Sequence, residues 1–463
     1  MKRQGLAATG RVLGFAALAF AGVFLTGCRG KVEAGALKTV ELTMWHNYSG
    51  QMKSTLDELI AQFNETVGKE NGVSVSVTYE GTSTTLSEKL TELAAQDRAL
   101  PDIPDLMTVY PKMAMTLADA GLLATLDGRF DAKELEAYQD SYIEEGRLQD
   151  GKLYVFPVAK STEVLYVNRT LFDRFSAATG VGLDNLSTFR GIADAAEMYY
   201  EWTDAQTPEV EGDGKAFFSC DSWFTVTLVG FAQQGYDFVD DTGIHKDGDL
   251  YRRIWEFAMP PGLRGEFAVV DTFSSALANQ GDVVCSIAST ASVRYYSHTV
   301  TYPDGQTEEV EYDVLPYPVF VMFGGKQMAL QRGAGIAVAK TSDRREQAAA
   351  LFLKWFTQPE QNKRFVSGSG YLPVTNAAFQ EMVAVAAADQ APGDDVYDEL
   401  YATVRKMYQE YLFLYTPNVD NVSAMMEEYE KDLKDATGKG RDAVRNGADV
   451  ELVSEALLRD IQD

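Results

Sequence analysis

The chain has 463 residues, 46% of them apolar, and a formal charge of −27. The apolar share supports a packed core and excludes a disordered chain, and at roughly 100–200 residues per domain the length calls for two or more lobes. A surface this acidic repels phosphate backbones, which argues against nucleic-acid binding.

The chain opens with Lys2 and Arg3, reinforced by Arg11, followed by an apolar run from Val12 to Leu25. This is the order of a secretory signal peptide, and the run is shorter than the ~20 residues a membrane span needs. Leu25-Thr26-Gly27-Cys28 resembles a bacterial lipobox, in which the Cys becomes the first mature residue and carries lipid. The alternative is a plain signal with a chance Cys. The lipobox reading makes 1–27 the signal peptide and 28–36 a lipidated tether without apolar periodicity. Removing 27 of the 463 residues takes Lys2, Arg3 and Arg11 with them, so the mature charge moves from −27 to near −30.

Beyond the tether, Thr39 to Trp45 reads as a strand by alternation, and Leu56, Leu59, Ile60 and Phe63 mark one face of a helix over 53–67. Val73, Val75, Val77 and Tyr79 give a second strand, residues 81–84 a turn, and Leu86, Leu90 and Leu93 another helix. A short strand at 104–109 precedes a helix from about Lys112 to Gly121, a suitable C-terminal glycine. This alternation predicts an α/β lobe with a mainly parallel sheet. Two strand-like runs, 153–158 and 164–167, flank Ala159-Lys160-Ser161-Thr162, read as a crossover between lobes. Helices are expected over 189–257 with polar loops at 203–214 and 240–248. Strands follow at 283–287 and 333–338 and an extended run at 314–321. A helix then ends near Pro359, and the last hundred residues are acidic and helical. Cys220 and Cys285 could pair in an oxidising compartment or be two small buried apolar groups. His46, His245 and His298 are far apart in sequence, so no zinc site is expected.

The order of these motifs resembles the extracellular solute-binding proteins of carbohydrate ABC importers. The residues that carry it are Trp45-His46-Asn47-Tyr48-Ser49-Gly50, Tyr79-Glu80-Gly81, and Ser161 to Asn168. Gly281-Asp282 leading to Ala288-Ser289-Thr290, Gly333-Ala334-Gly335, and Ser369-Gly370-Tyr371-Leu372-Pro373-Val374 complete the set. Within that group the likeness is greatest to the glycerol-3-phosphate binders, over about Val40 to Asn376. The resemblance implies an α/β, two-lobe periplasmic-binding-protein-like fold (type II) with a ligand cleft between lobes joined by hinge crossovers. The lobes expected are 37–158 plus about 313–357, and 159–312 plus about 358–463. Strand ends that feed helix N-termini present free amides there, and hinge closure on ligand follows.

Carried over by position, the cleft residues are Ser83, Ser161, Ser289, Gly333 and Tyr371, with Trp45, His46 and Trp223 as wall residues. Each has a plainer reading: Ser83 as a helix cap, Ser161 and Ser289 as turn residues, Gly333 for backbone geometry, Trp223 as core. The resemblance also calls for a Glu where Pro111 stands and an Arg near Tyr415-Thr416-Pro417-Asn418-Val419, which has none. Without that Arg a phosphate ester pairs poorly, and a neutral saccharide or polyol is the expected ligand. The expected protein is a monomeric, non-enzymatic, lipid-anchored extracytoplasmic receptor. It needs no cofactor or metal and hands carbohydrate to a membrane permease.

Two other classes were weighed. A glycoside hydrolase needs two carboxylates across one bond. Glu144-Glu145 and Glu427-Glu428 are adjacent acids in helical stretches and read as solvated surface, and Gly-x-Ser-x-Gly and His-Glu-x-x-His are absent from the sequence. A ferric-ion binder of the same architecture would draw on Tyr295-Tyr296 with His46, but surface or core tyrosines are the plainer reading and the chain is long for that group. The acidic loop of Asp237, Asp240, Asp241, Asp247 and Asp249 lacks calcium-loop spacing.

Overall fold

The computed structural model describes residues 39–95, 103–321, 324–388, 396–417, 419 and 421–462. The expected signal peptide, Cys28 and the expected tether lie outside them. No helix among the described residues is long and apolar enough to cross a membrane.

Alternation builds the first strand: β1 (Val40–His46) buries Val40, Leu42, Met44 and His46 and turns Glu41 and Thr43 outward. β2 (Val73–Tyr79) lies parallel to it, in register from Val40–Val73 to His46–Tyr79. β3 (Leu106–Val109) is buried throughout and flanks β1 on the other side. β4 (Val155–Pro157) and β5 (Ser161–Asn168) follow, every residue of both buried. Then come β6 (Phe218–Cys220), a small ribbon of β7 (Val239–Asp240) and β8 (Gly243–Ile244), and β9 (Cys285–Ser289). A second ribbon pairs β10 (Thr299–Thr301) with β11 (Thr307–Glu309), before β12 (Tyr312–Leu315), β13 (Met328–Arg332), β14 (Gly335–Val338) and β15 (Leu412–Leu414).

Two principal sheets result. The first runs β2-β1-β3-β14-β4 and the second β15-β13-β5-β9-β6, with β12 also on β5. In the first, β14 is antiparallel to its neighbours β3 and β4, while β1, β2 and β3 pair in parallel. In the second, β5 is antiparallel to β9, β12 and β13. Each sheet thus holds one reversed strand, and each reversed strand is the one arriving from the other sheet: β4 leads into β5, and β13 into β14. The chain has no room to turn around in the two or three residues between them. This is the two-lobe α/β architecture the sequence implies.

Because the central strands are covered on both faces, each sheet needs apolar groups on both sides. Helices Gly50–Glu65, Asp343–Phe356 and Pro359–Val366 pack Leu56, Phe63, Phe352 and Phe365 with Leu42 and Met44. Helices Ser83–Ala94 and Pro111–Asp119 pack Leu86, Leu90 and Leu117 with Met107 and Val109 on the other face. A larger core around β5 gathers Val164, Tyr166, Phe218, Trp223 and Phe257.

Four details depart from the sequence reading. β12 (Tyr312–Leu315) and β13 (Met328–Arg332) hydrogen-bond into the second sheet, through β5, rather than opening the first-lobe return at about 313. Conversely Phe365, Val366 and Val374 pack in the first core although 358 onward was placed in the second lobe. The helix expected to finish at Phe257 continues as Gly248–Arg264 through Pro260 and Pro261, ending at Gly265 with φ 90°. β6 interrupts the expected helical stretch, since a three-residue buried strand has no periodicity to read. Cys220 and Cys285 are both free and buried, and β6 and β9 pair so that Cys285 faces Phe218 and Cys220 faces Ile287.

The crossovers meet at Lys160. The ladder pairs Arg332–Ser161 and Gly335–Pro157 bracket two side-by-side connections. A third segment joins them, for Lys160 and Leu372 exchange backbone bonds, Lys160 N to Leu372 O at 3.1 Å and Leu372 N to Lys160 O at 2.6 Å. Gly333, at φ 112°, has no room for a side chain: a Cβ would lie 2.7 Å from the carbonyl oxygen of Ala159.

Candidate functional site

A cleft of about 520 Å³ opens where strand ends from both sheets meet these crossovers. That volume lies within the range of small-molecule sites. Its first-sheet wall carries Ser83, at the start of helix Ser83–Ala94, Tyr110 and Lys112 after β3, and Glu145. The opposite wall carries Ser289 at the end of β9, Ser292, Arg294 and Tyr295 in the short 3₁₀ turn Thr290–Tyr295, and Ser423 and Met426 of helix Val422–Arg445. The floor is the crossovers: Ser161, Gln331, Arg332, Gly333 and Tyr371.

Five of the eight residues expected in the cleft therefore line it together: Ser83, Ser161, Ser289, Gly333 and Tyr371. Ser83 does not cap its helix, because the Thr82 hydroxyl accepts from Thr85 N at 3.2 Å. Ser289 does both jobs, lining the cleft while its Oγ accepts from Ala291 N at 3.2 Å. Tyr371 is held by its own N–H donating to Ser369 Oγ at 3.2 Å. Enclosure pushes its phenol up to about 12, against the smaller downward pull of Arg294 and Arg332, so the group stays a neutral hydroxyl.

The other three do not line this cleft. Trp223 is buried against Phe218, Phe257 and Phe267, a core residue because it opens a helix, Trp223–Gln233, that is buried almost throughout. His46 is wholly buried at the end of β1, its Nδ1 accepting from Tyr48 N at 3.2 Å. Burial depresses its pKa and keeps it neutral. Trp45 is half-buried on the other face of the first sheet, with Lys89 Nζ 5.8 Å from its ring centre.

Glu145, read from sequence as solvated, is 5% exposed and ion-paired: Lys160 Nζ donates to its Oε2 at 2.8 Å and to Gly333 O at 2.9 Å. Gln331 Nε2 donates to the same carboxylate and to Ser141 O at 3.2 Å. The adjacent acids are separated by the helix turn, one facing the crossovers and the other solvent. Arg332 Nη1 lies 3.4 Å from Glu163 Oε1. The cleft cations Lys112, Arg294 and Arg332 were missed, as was Tyr110. The signal for Tyr110 and Lys112 was available, since they sit at a strand-to-helix junction like Ser83. Arg294 and Arg332 carry no such signal. Tyr295 lines the cleft whereas Tyr296 is buried, stacked on Tyr166 at 4.2 Å between centroids. Among the described residues no three His, Cys, Asp or Glu side chains converge in a way that could hold a metal ion.

Residues 58–393 match the family described as bacterial extracellular solute-binding protein. The chain belongs to that family. Membership implies a small-molecule ligand and an ABC permease as partner. It is similar to the sn-glycerol-3-phosphate-binding periplasmic protein UgpB of Yersinia pestis, 21% identical over 384 residues, covering 79% of this chain and 81% of that one. Among solved structures it superposes on the cyclic alpha-maltosyl-1,6-maltose binding protein from Arthrobacter globiformis, with a TM-score of 0.64, 19% identity, and coverage of 91% and 97%. UgpB from Mycobacterium tuberculosis in complex with glycerophosphocholine gives 0.65, 17%, 92% and 98%. These solute-binding proteins share the two-lobe fold with this chain.

Proposed function

We propose that this protein is a lipid-anchored, extracytoplasmic receptor that captures a carbohydrate, a saccharide or polyol, in the crossover cleft and delivers it to its permease. The observation that carries the reading is the meeting of three tyrosines, Tyr110, Tyr295 and Tyr371, with Ser83, Ser161 and Ser289 in one cavity drawn from both sheets. Aromatic rings take the C–H faces of a sugar, and hydroxyls and amides take its O–H groups. Cys28 would carry the anchor.

The neutrality of the ligand rested on a missing arginine in the C-terminal region. Arg294, from the 3₁₀ turn after β9, and Arg332, from the end of β13, supply guanidinium groups to the cleft, so that ground for a neutral ligand falls away. Hydrolysis lacks support, because among the described lining residues Glu145 is the one carboxylate, it is held by Lys160 and Gln331, and glycoside cleavage uses two.

The test is a thermal-shift screen of the chain without its leader and Cys28 against mono- and oligosaccharides, polyols, glycerol phosphates and metal ions. A ligand at a hundredfold excess over its Kd adds about 2.7 kcal/mol of stability. A shift with a saccharide or polyol supports the reading. A shift with metal ions alone, or with nothing in the panel, overturns it.

A further inference from the structure

We propose that a side chamber of the cleft is an anion subsite, receiving a carboxylate or phosphate carried by a ligand whose hydroxylated body lies in the main cavity. The proposal rests on the cleft being the ligand site. The chamber has a volume of about 190 Å³ and is lined by Asn47, Tyr48, Ser49, Tyr110, Arg294 and Tyr371, among others. Tyr110, Arg294 and Tyr371 also line the main cleft, so the two spaces adjoin through them.

Four observations converge on negative charge there. First, Arg294 has no acidic partner among the described residues, in a chain with 68 acidic and 41 basic side chains; its guanidinium stands 4.9 Å from the Tyr295 ring centre. Arg332, the other cleft arginine, has Glu163 Oε1 3.4 Å from its Nη1, and no carboxylate of the described residues stands in that relation to Arg294. Second, no carboxylate is among the described residues lining the chamber. Third, the 16-residue helix Gly50–Glu65 begins at the chamber, with no side chain capping its first amides and no acid in its first turn. Such an end attracts anions through its free N–H groups and its dipole. Fourth, the Tyr48 hydroxyl is buried without a partner. A guanidinium pairs in a fork with the two oxygens of a carboxylate or with a phosphate. The chemistry shared by a uronic acid and a sugar or polyol phosphate, one anionic group on a hydroxylated body, is therefore what this chamber fits.

The experiment is calorimetric titration of the mature chain lacking Cys28 with matched pairs: glucose and glucuronate, galactose and galacturonate, glycerol and glycerol 3-phosphate, each at low and high salt. The proposal expects one anionic member to bind about tenfold or more tighter than its uncharged parent, with affinity falling as salt rises. Arg294→Gln should weaken the anionic member about tenfold more than it weakens the uncharged parent, and Arg294→Lys should restore part of that difference. A response to the uronates alone identifies a carboxylate source, and to the phosphate alone a phosphate source. Equal binding of parent and anion, or loss of both alike in Arg294→Gln, overturns the subsite while keeping the cleft. Silence from every compound, parents included, overturns the cleft reading and the subsite with it.

Discussion

Lys160 and Gly333 stand on two neighbouring crossovers and are joined directly, Lys160 Nζ donating to the Gly333 carbonyl oxygen at 2.9 Å. The same ammonium reaches Glu145 Oε2 at 2.8 Å, so one side chain, 2% exposed, ties both connections to the first lobe. Removing one member of a buried ion pair strands the other charge, at a cost of about 3–5 kcal/mol. Lys160→Met should lower unfolding stability by that order in a urea titration. Adding Glu145→Leu should recover much of the loss, because no buried charge is then left alone. A single variant as stable as the parent would mean the pair is not closed in solution.

Glu163 should make stability fall with pH. Burial raises its carboxyl from 4.5 to about 7, only partly opposed by Arg332. Between those values the unfolded chain loses this proton and the folded chain keeps it, so folding is disfavoured increasingly as pH rises from about 4.5 to about 7 and by a constant amount above. The full effect is about 3 kcal/mol at 1.36 kcal/mol per unit. The stability of Glu163→Gln relative to the parent should rise across that window and level off near pH 8. A difference independent of pH would show that the carboxyl is already ionised in the folded chain at pH 5.

Trp223 and Tyr371 should separate stability from binding. Trp223→Ala empties a site 2% exposed among phenylalanines and should cost about 3–5 kcal/mol while leaving the affinity of the folded protein intact. Tyr371→Ala removes a half-buried ring from the cleft wall and should weaken the carbohydrate ligand tenfold or more with a small stability change. Melting curves and titrations on both variants check the pair, and the reverse pattern would exchange their roles.

Cys220 and Cys285 should resist thiol reagents in the folded chain. Both are buried, and burial pushes both thiols well above their ordinary value, so thiolate is scarce and shielded. In a chain lacking Cys28, Ellman's reagent at pH 8 should report almost no thiol until urea unfolds the protein, and two thereafter. Zero in urea would reveal a disulfide, and rapid reaction without urea would reveal exposure.

Local pattern made the elements of the first lobe readable. The alternation in Val40–His46 and over Val73 to Val77 and the one-face spacing of Leu56, Leu59, Ile60 and Phe63 survive in the structure because each element buries one face, while Tyr79, at the end of β2, is exposed. Ser83 and Ser289 came from the family resemblance rather than from local pattern, and both lie just past strand ends, where a ligand can approach the backbone. The two reversed strands β5 and β14 were not legible, since direction within a sheet depends on which sheet the chain enters next.

The sequence by itself determined the composition of the cores, the alternation of strand and helix and the crossover near Lys160, and its resemblance to a known family pointed to the small residues of the cleft. The burial of Glu145, the core position of Trp223 and the arrival of Arg294 and Arg332 in one cavity were decided only by tertiary structure. A side chain's charge or ring is visible in sequence, but its burial and its partners are set by segments more than a hundred residues away, such as Gly333 for Lys160.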